Sequence, residues 1–301
     1  MSIRPIKRII ESRPATEGAG VKLRRAFGFG DTDAFDPFLL FDDFRNDRPD
    51  DYLAGFPWHP HRGIETITYV LAGEVEHGDS LGNRGTLGAG DVQWMTAGSG
   101  IMHQEMPQGD DRGRMHGFQL WSNLPAALKM TKPRYQDIAA KDVAEITDDD
   151  GTIVRVVVGE FWGKTGPVEG VAADPRYLDV WVPPLKRKTL PVDWRHHAFA
   201  YVFEGSGTFR NASKPFGVLT EKDDDTIVRE QTGNRSLIVF DSGDEVTVDA
   251  GEQGIRFLLV SGKPIEEPVA WYGPIVMNTQ DELRQAVTDL RRGTFIKEGA
   301  R

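Results

Sequence analysis

Short runs of β-forming residues, each closed by glycine, aspartate or asparagine, recur along this chain, and helical periodicity is scarce. Residues 65–71, 90–96, 118–121 and 153–158 make one set; residues 177–182, 199–203, 237–240 and 257–260 make a second. Many short strands separated by turn residues select a sandwich or barrel over a layered α/β fold. The set changes between Asn123 and Gly151, which predicts two tandem β-domains, 1–135 and 136–301. A length of 301 residues accommodates both. Between them, residues 124–150 carry Pro125, Pro133 and the cluster Asp148, Asp149 and Asp150, which reads as a connection ending in a solvated turn. Asp223, Asp224 and Asp225 read as a hairpin tip.

One helix stands out near the end. Thr279 and Glu282 have capping-box spacing, and Leu283, Ala286, Val287 and Leu290 follow at i, i+3, i+4 and i+7. Arg291 and Arg292 fall in the last turn and Gly293 stops it. Its expected role is to cover a barrel surface.

Composition removes several function classes. With no cysteine, the chain has no disulfide scaffold, thiolate metal site or cysteine nucleophile. A formal charge of −10, from 46 acidic against 36 basic side chains, argues against direct nucleic-acid binding. The first ten residues lack an apolar run and cleavage site, and no run is long enough to span a bilayer, so a soluble cytoplasmic protein is expected. Gly28-Phe29-Gly30 lacks the third glycine of a dinucleotide loop, and Ser99 between glycines lacks the context of a nucleophile elbow.

The chemistry concentrates between residues 55 and 125. In the extended run Phe56-Pro57-Trp58-His59-Pro60-His61-Arg62-Gly63-Ile64-Glu65, His59 and His61 are two apart and share a face. His103 and Glu105 share a face for the same reason, and Gly98 and Gly100 permit a bend that brings it to the first pair. Three imidazoles and one carboxylate suit Fe(II), Mn(II), Zn, Ni or Cu(II), and ligand type alone leaves all five open. On a six-coordinate ion such a set leaves two positions for water, dioxygen or a bidentate substrate. Metal binding should weaken below about pH 6 as ordinary imidazoles protonate.

The other histidines carry weaker signals. His77 precedes a turn and is expected to be exposed; His116 reads as a core or surface residue; adjacent His196 and His197 point to opposite faces. The second domain lacks a counterpart of His103 and Glu105 and is expected to hold no metal. Phe56, Trp58, Trp94, Met95, Met102, Met106, Phe118 and Trp121 flank the ligands. Alternation sends only half of each strand inward, and Trp94 and Phe118 are the pocket candidates. Residues 41–45 are expected in a loop at its mouth.

The run His59-Pro60-His61-Arg62-Gly63-Ile64-Glu65-Thr66 resembles the pirin family of bicupins. So do Gly90-Asp91-Val92-Gln93-Trp94-Met95-Thr96-Ala97-Gly98, Ile101-Met102-His103-Gln104-Glu105-Met106-Pro107 and Gln119-Leu120-Trp121-Ser122-Asn123-Leu124-Pro125. The resemblance is dense over the first domain and thinner over the second. It implies an all-β chain of two tandem cupin (double-stranded β-helix, or jelly-roll) barrels with a C-terminal helix. It further implies Fe(II) in the first barrel, on His59, His61, His103 and Glu105. Many cupins keep a ligand at the position of Glu65; here Glu65 is expected to orient an imidazole through its free ring nitrogen. Two activities are implied. One is a dioxygenase cleaving flavonols such as quercetin with O2, with Glu105 as ligand and general base. The other is an iron-dependent, redox-responsive module that binds a protein partner without turnover. A zinc sugar-phosphate isomerase fits less well, because no Lys and Arg cluster accompanies the ligands.

Overall fold

The computed structural model describes residues 2–212, 218–222, 225–229 and 231–297. Two β-barrels and a C-terminal helix account for most of them, as the strand-rich pattern requires. Grouped by contacts, Arg13–Asp142 and Ile265–Arg301 form one compact unit, and Met1–Ser12 and Val143–Pro264 form the other. This division differs from a single cut at residue 135, and the reason is pairing across long sequence separations. Strand β1 (Ile6–Glu11) lies antiparallel to the distant strand Ser236–Phe240. The terminal segment is tied into the first barrel.

The first barrel uses β2 (Arg13–Glu17), β3 (Val21–Phe27), β4 (Phe38–Asp43), β5 (Phe56–His61), β6 (Ile64–Ala72) and β7 (Glu74–Asp79). It continues with β8 (Arg84–Leu87), β9 (Val92–Thr96), β10 (Ile101–Gln108), β11 (His116–Asn123) and β12 (Arg134–Ile138). A seven-stranded sheet runs β12-β9-β6-β11-β4-β3-β2, and a four-stranded sheet runs β5-β10-β7-β8. Central strand β6 is buried along seven of its nine residues. Its β-branched and aromatic content, Ile64, Thr66, Ile67, Thr68, Tyr69 and Val70, suits a strand packed on both faces. Residues 38–43, placed partly in a loop by the sequence reading, are strand β4.

In the second barrel, the nine-stranded sheet is organised by the long strands His197–Phe209 and Glu245–Gly262. Val180, Ala200, Val202, Ile238, Val248 and Phe257 are among its fully buried core. His196 is buried with Nδ1 3.4 Å from Ser261 Oγ, whereas His197 is exposed. Asp148 sits in a turn and pairs with Lys188. Asp223 and Asp224 lie outside the described residues, between the paired strands Val218–Lys222 and Asp225–Arg229.

The helix spans Gln280–Arg291 and has the expected capping box: Thr279 Oγ1 accepts from Glu282 N–H, and Glu282 accepts from Thr279 N–H. Leu283 and Ala286 are buried, and so is Asp289, which apolar periodicity does not reveal. Asp289 Oδ2 accepts from Arg62 Nη1 at 2.8 Å. Arg62 also donates to the carbonyls of Ser99 and Phe295, with its guanidinium 4.2 Å from the Phe295 ring centroid. The C-terminal segment thus clamps the residue that follows His61.

Candidate metal centre

Antiparallel pairing of β5 with β10 sets His59 opposite His103 and His61 opposite Ile101. The turn joining β9 to β10 makes this register possible. Gly98 and Gly100 adopt φ of +49° and +136°. A Cβ on Gly98 would lie 2.2 Å from the Thr131 carbonyl oxygen, so no larger residue fits there. The ligand atoms of His59, His61 and His103 fall within 4.8 Å of one another. Among the described residues, no other group of three or more His, Cys, Asp or Glu side chains could hold a metal ion.

The surroundings select the imidazole tautomers. His59 Nδ1 lies 3.0 Å from the Pro57 carbonyl oxygen and His61 Nδ1 3.2 Å from that of Pro274, so each Nδ1–H donates outward. The two Nε2 lone pairs then face each other across 3.0 Å. Two acceptors so close repel unless a cation lies between them. Nitrogens about 2.1 Å from one ion, at about a right angle, are separated by about 3.0 Å. His103 is 1% exposed, and neither of its ring nitrogens has a hydrogen-bond partner. A buried polar atom without a partner costs about 1–3 kcal/mol. Bonds to a divalent ion relieve both problems, so these residues fit a metal. Burial lowers the pKa of His59, and lowers those of His61 and His103 well below the usual 6.5, with neighbouring imidazoles adding to the effect at the last two. All three are therefore neutral and able to ligate at pH 7.

Glu105 lies outside this cluster. A register shift in the β5–β10 ladder falls between His103 and Glu105 and sets Glu105 opposite Phe56, where an unbroken register would set it opposite Pro57. Its Oε1 is 3.2 Å from Thr68 Oγ1, which in turn is 2.8 Å from Gln119 Oε1. One hydroxyl proton serves only one acceptor at a time; with the Gln119 amide turned to donate, Thr68 can donate to Glu105. Burial raises the Glu105 carboxyl to about 7, against a smaller lowering by the Thr68 hydrogen bond.

A cavity of about 600 Å³ opens beside the cluster, and His59, His61 and Glu105 all line it. Its walls are mostly apolar, with Leu23, Leu40, Phe56, Val75, Trp121 and Trp271 among them. Trp121 meets the His61 ring edge-on at 5.1 Å.

Strand parity explains which candidates miss the cavity. On β6, Thr68 faces it; Glu65 lies an odd number of residues away and points to the other side. Glu65 is 1% exposed and accepts from Thr96 Oγ1 at 2.7 Å. Trp94 and Phe118 are fully buried but do not line the cavity; Phe118 stacks on Phe41 at 5.7 Å. Trp121, Phe56, Thr68, Gln119, Asp42 and Arg25 line it instead. Counting by twos from Trp121 reaches Gln119, a signal the sequence holds. Trp271 and Pro274, from the C-terminal segment, had no local signal. His77 is buried, 7% exposed, where exposure was expected, because β7 pairs with both β8 and β10. His116 is half-buried, with Nε2 2.6 Å from Asp47 Oδ1.

Residues 20–122 match the pirin family, and residues 177–296 match the pirin C-terminal cupin domain. A pirin-like protein of Caulobacter vibrioides is 42% identical over 98% of this chain and 100% of its own. The chain belongs to the pirin family. Human pirin is 36% identical over 93% of this chain and 90% of its own. The crystal structure of a quercetin 2,3-dioxygenase from Acinetobacter baumannii superposes with a TM-score of 0.84 at 31% identity, covering 98% of this pirin-family chain and 99% of that one. Both barrels are therefore cupins. No helix among the described residues is long and apolar enough to cross a membrane.

Proposed function

We propose that this chain is a metal-dependent oxidoreductase that cleaves flavonols such as quercetin with O2. The observation that carries the proposal is the joining of an apolar cavity of about 600 Å³ to the histidine cluster, with Glu105 on the same wall. The Acinetobacter baumannii structure named a quercetin 2,3-dioxygenase supports it. A divalent ion, Fe(II) in this proposal, held by His59, His61, His103 and Glu105, would supply Lewis acidity toward the substrate oxygen and redox chemistry toward O2. The chain's own residues do the rest. Trp121, Trp271 and Phe56 bind the flat rings and exclude water. Glu105, which lines the cavity and lies within reach of Thr68, takes the proton of the 3-hydroxyl. Thr68 holds the carboxylate in place before transfer.

The test is oxygen uptake with quercetin by anaerobically iron-loaded protein. Uptake with release of carbon monoxide, absent in His103→Ala, is the expected result. No uptake by protein shown by elemental analysis to hold one iron per chain overturns the proposal in favour of a metal-dependent module that binds a protein partner.

The pH dependence of metal binding tests Glu105 as the fourth ligand. Burial keeps the imidazoles neutral as pH falls through 6, so they are not the first groups to compete with the metal. Glu105 takes up its proton near pH 7. Apparent affinity should therefore fall about tenfold per pH unit below pH 7, and Glu105→Gln should remove that slope. A slope that survives the substitution assigns the proton to a histidine and removes Glu105 from the ligand set.

A further inference from the structure

Six strands of the larger sheet each place one polar side chain at the same level. Asp137, Gln93, Thr68, Gln119, Asp42 and Arg25 are successive partners across β12, β9, β6, β11, β4 and β3. Alternation puts all six on one face, and the last four line the cavity. At the adjacent level the successive partners are Met95, Thr66, Trp121 and Leu40, three of the four apolar. The row is thus a polar stripe on an apolar wall, an arrangement that costs stability unless each group is hydrogen-bonded.

Of the four that line the cavity, Thr68 stands at one end and meets Glu105. The other end is rich in acceptors. Arg25 Nε and Nη2 donate to the two oxygens of Asp42 at 2.8 and 2.7 Å, while Nη1 donates to Glu17 Oε1 at 2.7 Å. Two carboxylates share one guanidinium, leaving a formal charge of −1 in a largely apolar cavity. Each Asp42 oxygen keeps accepting capacity, and the Arg25 donors on that side are already engaged. Asp42 lies two strand spacings, about 10 Å, from Thr68. That distance suits a three-ring frame with its reacting hydroxyl at Glu105 and its far ring at Asp42.

We propose that Asp42, held by Arg25 and backed by Glu17, is a specificity pole for the far end of the substrate. It accepts from neutral phenolic hydroxyls and rejects ends bearing sulfate, phosphate or carboxylate. The proposal rests on the flavonol reading above. A site built to bond a hydroxyl discriminates strongly against the analogue that lacks it. An anionic end brings no proton for the Asp42 oxygens to accept and finds the Arg25 donors already engaged.

Isothermal titration calorimetry under anaerobic conditions, with metal-loaded full-length protein, tests it without turnover. The ligands are quercetin, galangin (the same flavonol without the two catechol hydroxyls) and quercetin 4′-sulfate. Quercetin should bind on the order of tenfold more tightly than galangin, and the sulfate more weakly than galangin. In Asp42→Asn the quercetin-to-galangin ratio should fall toward one. Glu17→Gln, at a more exposed carboxylate, should lower it by a smaller factor and decides the matter where Asp42→Asn does not fold. Equal binding of quercetin and galangin to the unaltered protein overturns the pole. So does a preference that survives in every folded variant. Failure of all three ligands to bind the unaltered protein overturns the flavonol reading itself, and the pole with it.

Discussion

Replacing His103 with alanine should lower affinity for a divalent metal by more than about 100-fold, the upper range for losing even a partner that only orients a ligand. His103 is the one imidazole of the three with no hydrogen bond at either ring nitrogen, so nothing in the protein competes with a metal for it. Its removal leaves two imidazoles on β5, His59 and His61, both held by backbone carbonyls. Competition titration against a chelator at pH 7.5 reads the change. His116→Ala is the control, since His116 bonds Asp47 and lies outside the cluster. A loss shared by both variants would point to general damage; a loss below about tenfold in His103→Ala alone would remove His103 from the centre.

The second large effect should come from Asp289→Ala, with a loss of about 3–5 kcal/mol and a melting temperature lower by roughly 10 °C. Arg62 is 2% exposed and Asp289 6%, so removing the carboxylate strands a buried guanidinium. Lys297 and Gln285 also donate to Asp289, and they lose their partner in the same step. The joint replacement Arg62→Met with Asp289→Leu should cost less than the single one, because a buried ion pair is dearer to break than to exchange for apolar packing. Urea unfolding followed by tryptophan fluorescence measures both. A loss under about 1 kcal/mol would place this pair among solvated surface bridges. Because Arg62 adjoins His61, the helix supports the metal-binding strand from a position some 230 residues away in sequence.

Local pattern carried much of this molecule, and the exceptions share a cause. The His59–His61 pair was legible because period-two alternation needs only neighbouring residues. The helix from Gln280 was legible because its capping box and apolar stripe are local too. Trp94 and Phe118 lie outside the cavity lining because a place next to a ligand strand does not specify a face. Parity counted from Thr68, or from Trp121, does specify it. The polar row from Asp137 to Arg25 depends on the register of six strands, which no single segment encodes. Trp271, Pro274 and Asp289 reach the first barrel through contacts across more than 140 residues, beyond any local signal. Lys129, another such case, donates to Gly63 O, Asn123 Oδ1 and Val276 O from a buried position.

The account depends most on one metal ion sitting among His59, His61 and His103. Anomalous X-ray diffraction at the metal edge, on crystals of protein loaded with one equivalent of Fe(II) under argon, tests that directly. The expected result is a single peak per chain within about 2.0–2.3 Å of His59 Nε2 and His61 Nε2 and of one His103 ring nitrogen. A peak elsewhere, or none beside these three imidazoles in crystals whose elemental analysis shows bound iron, would contradict it.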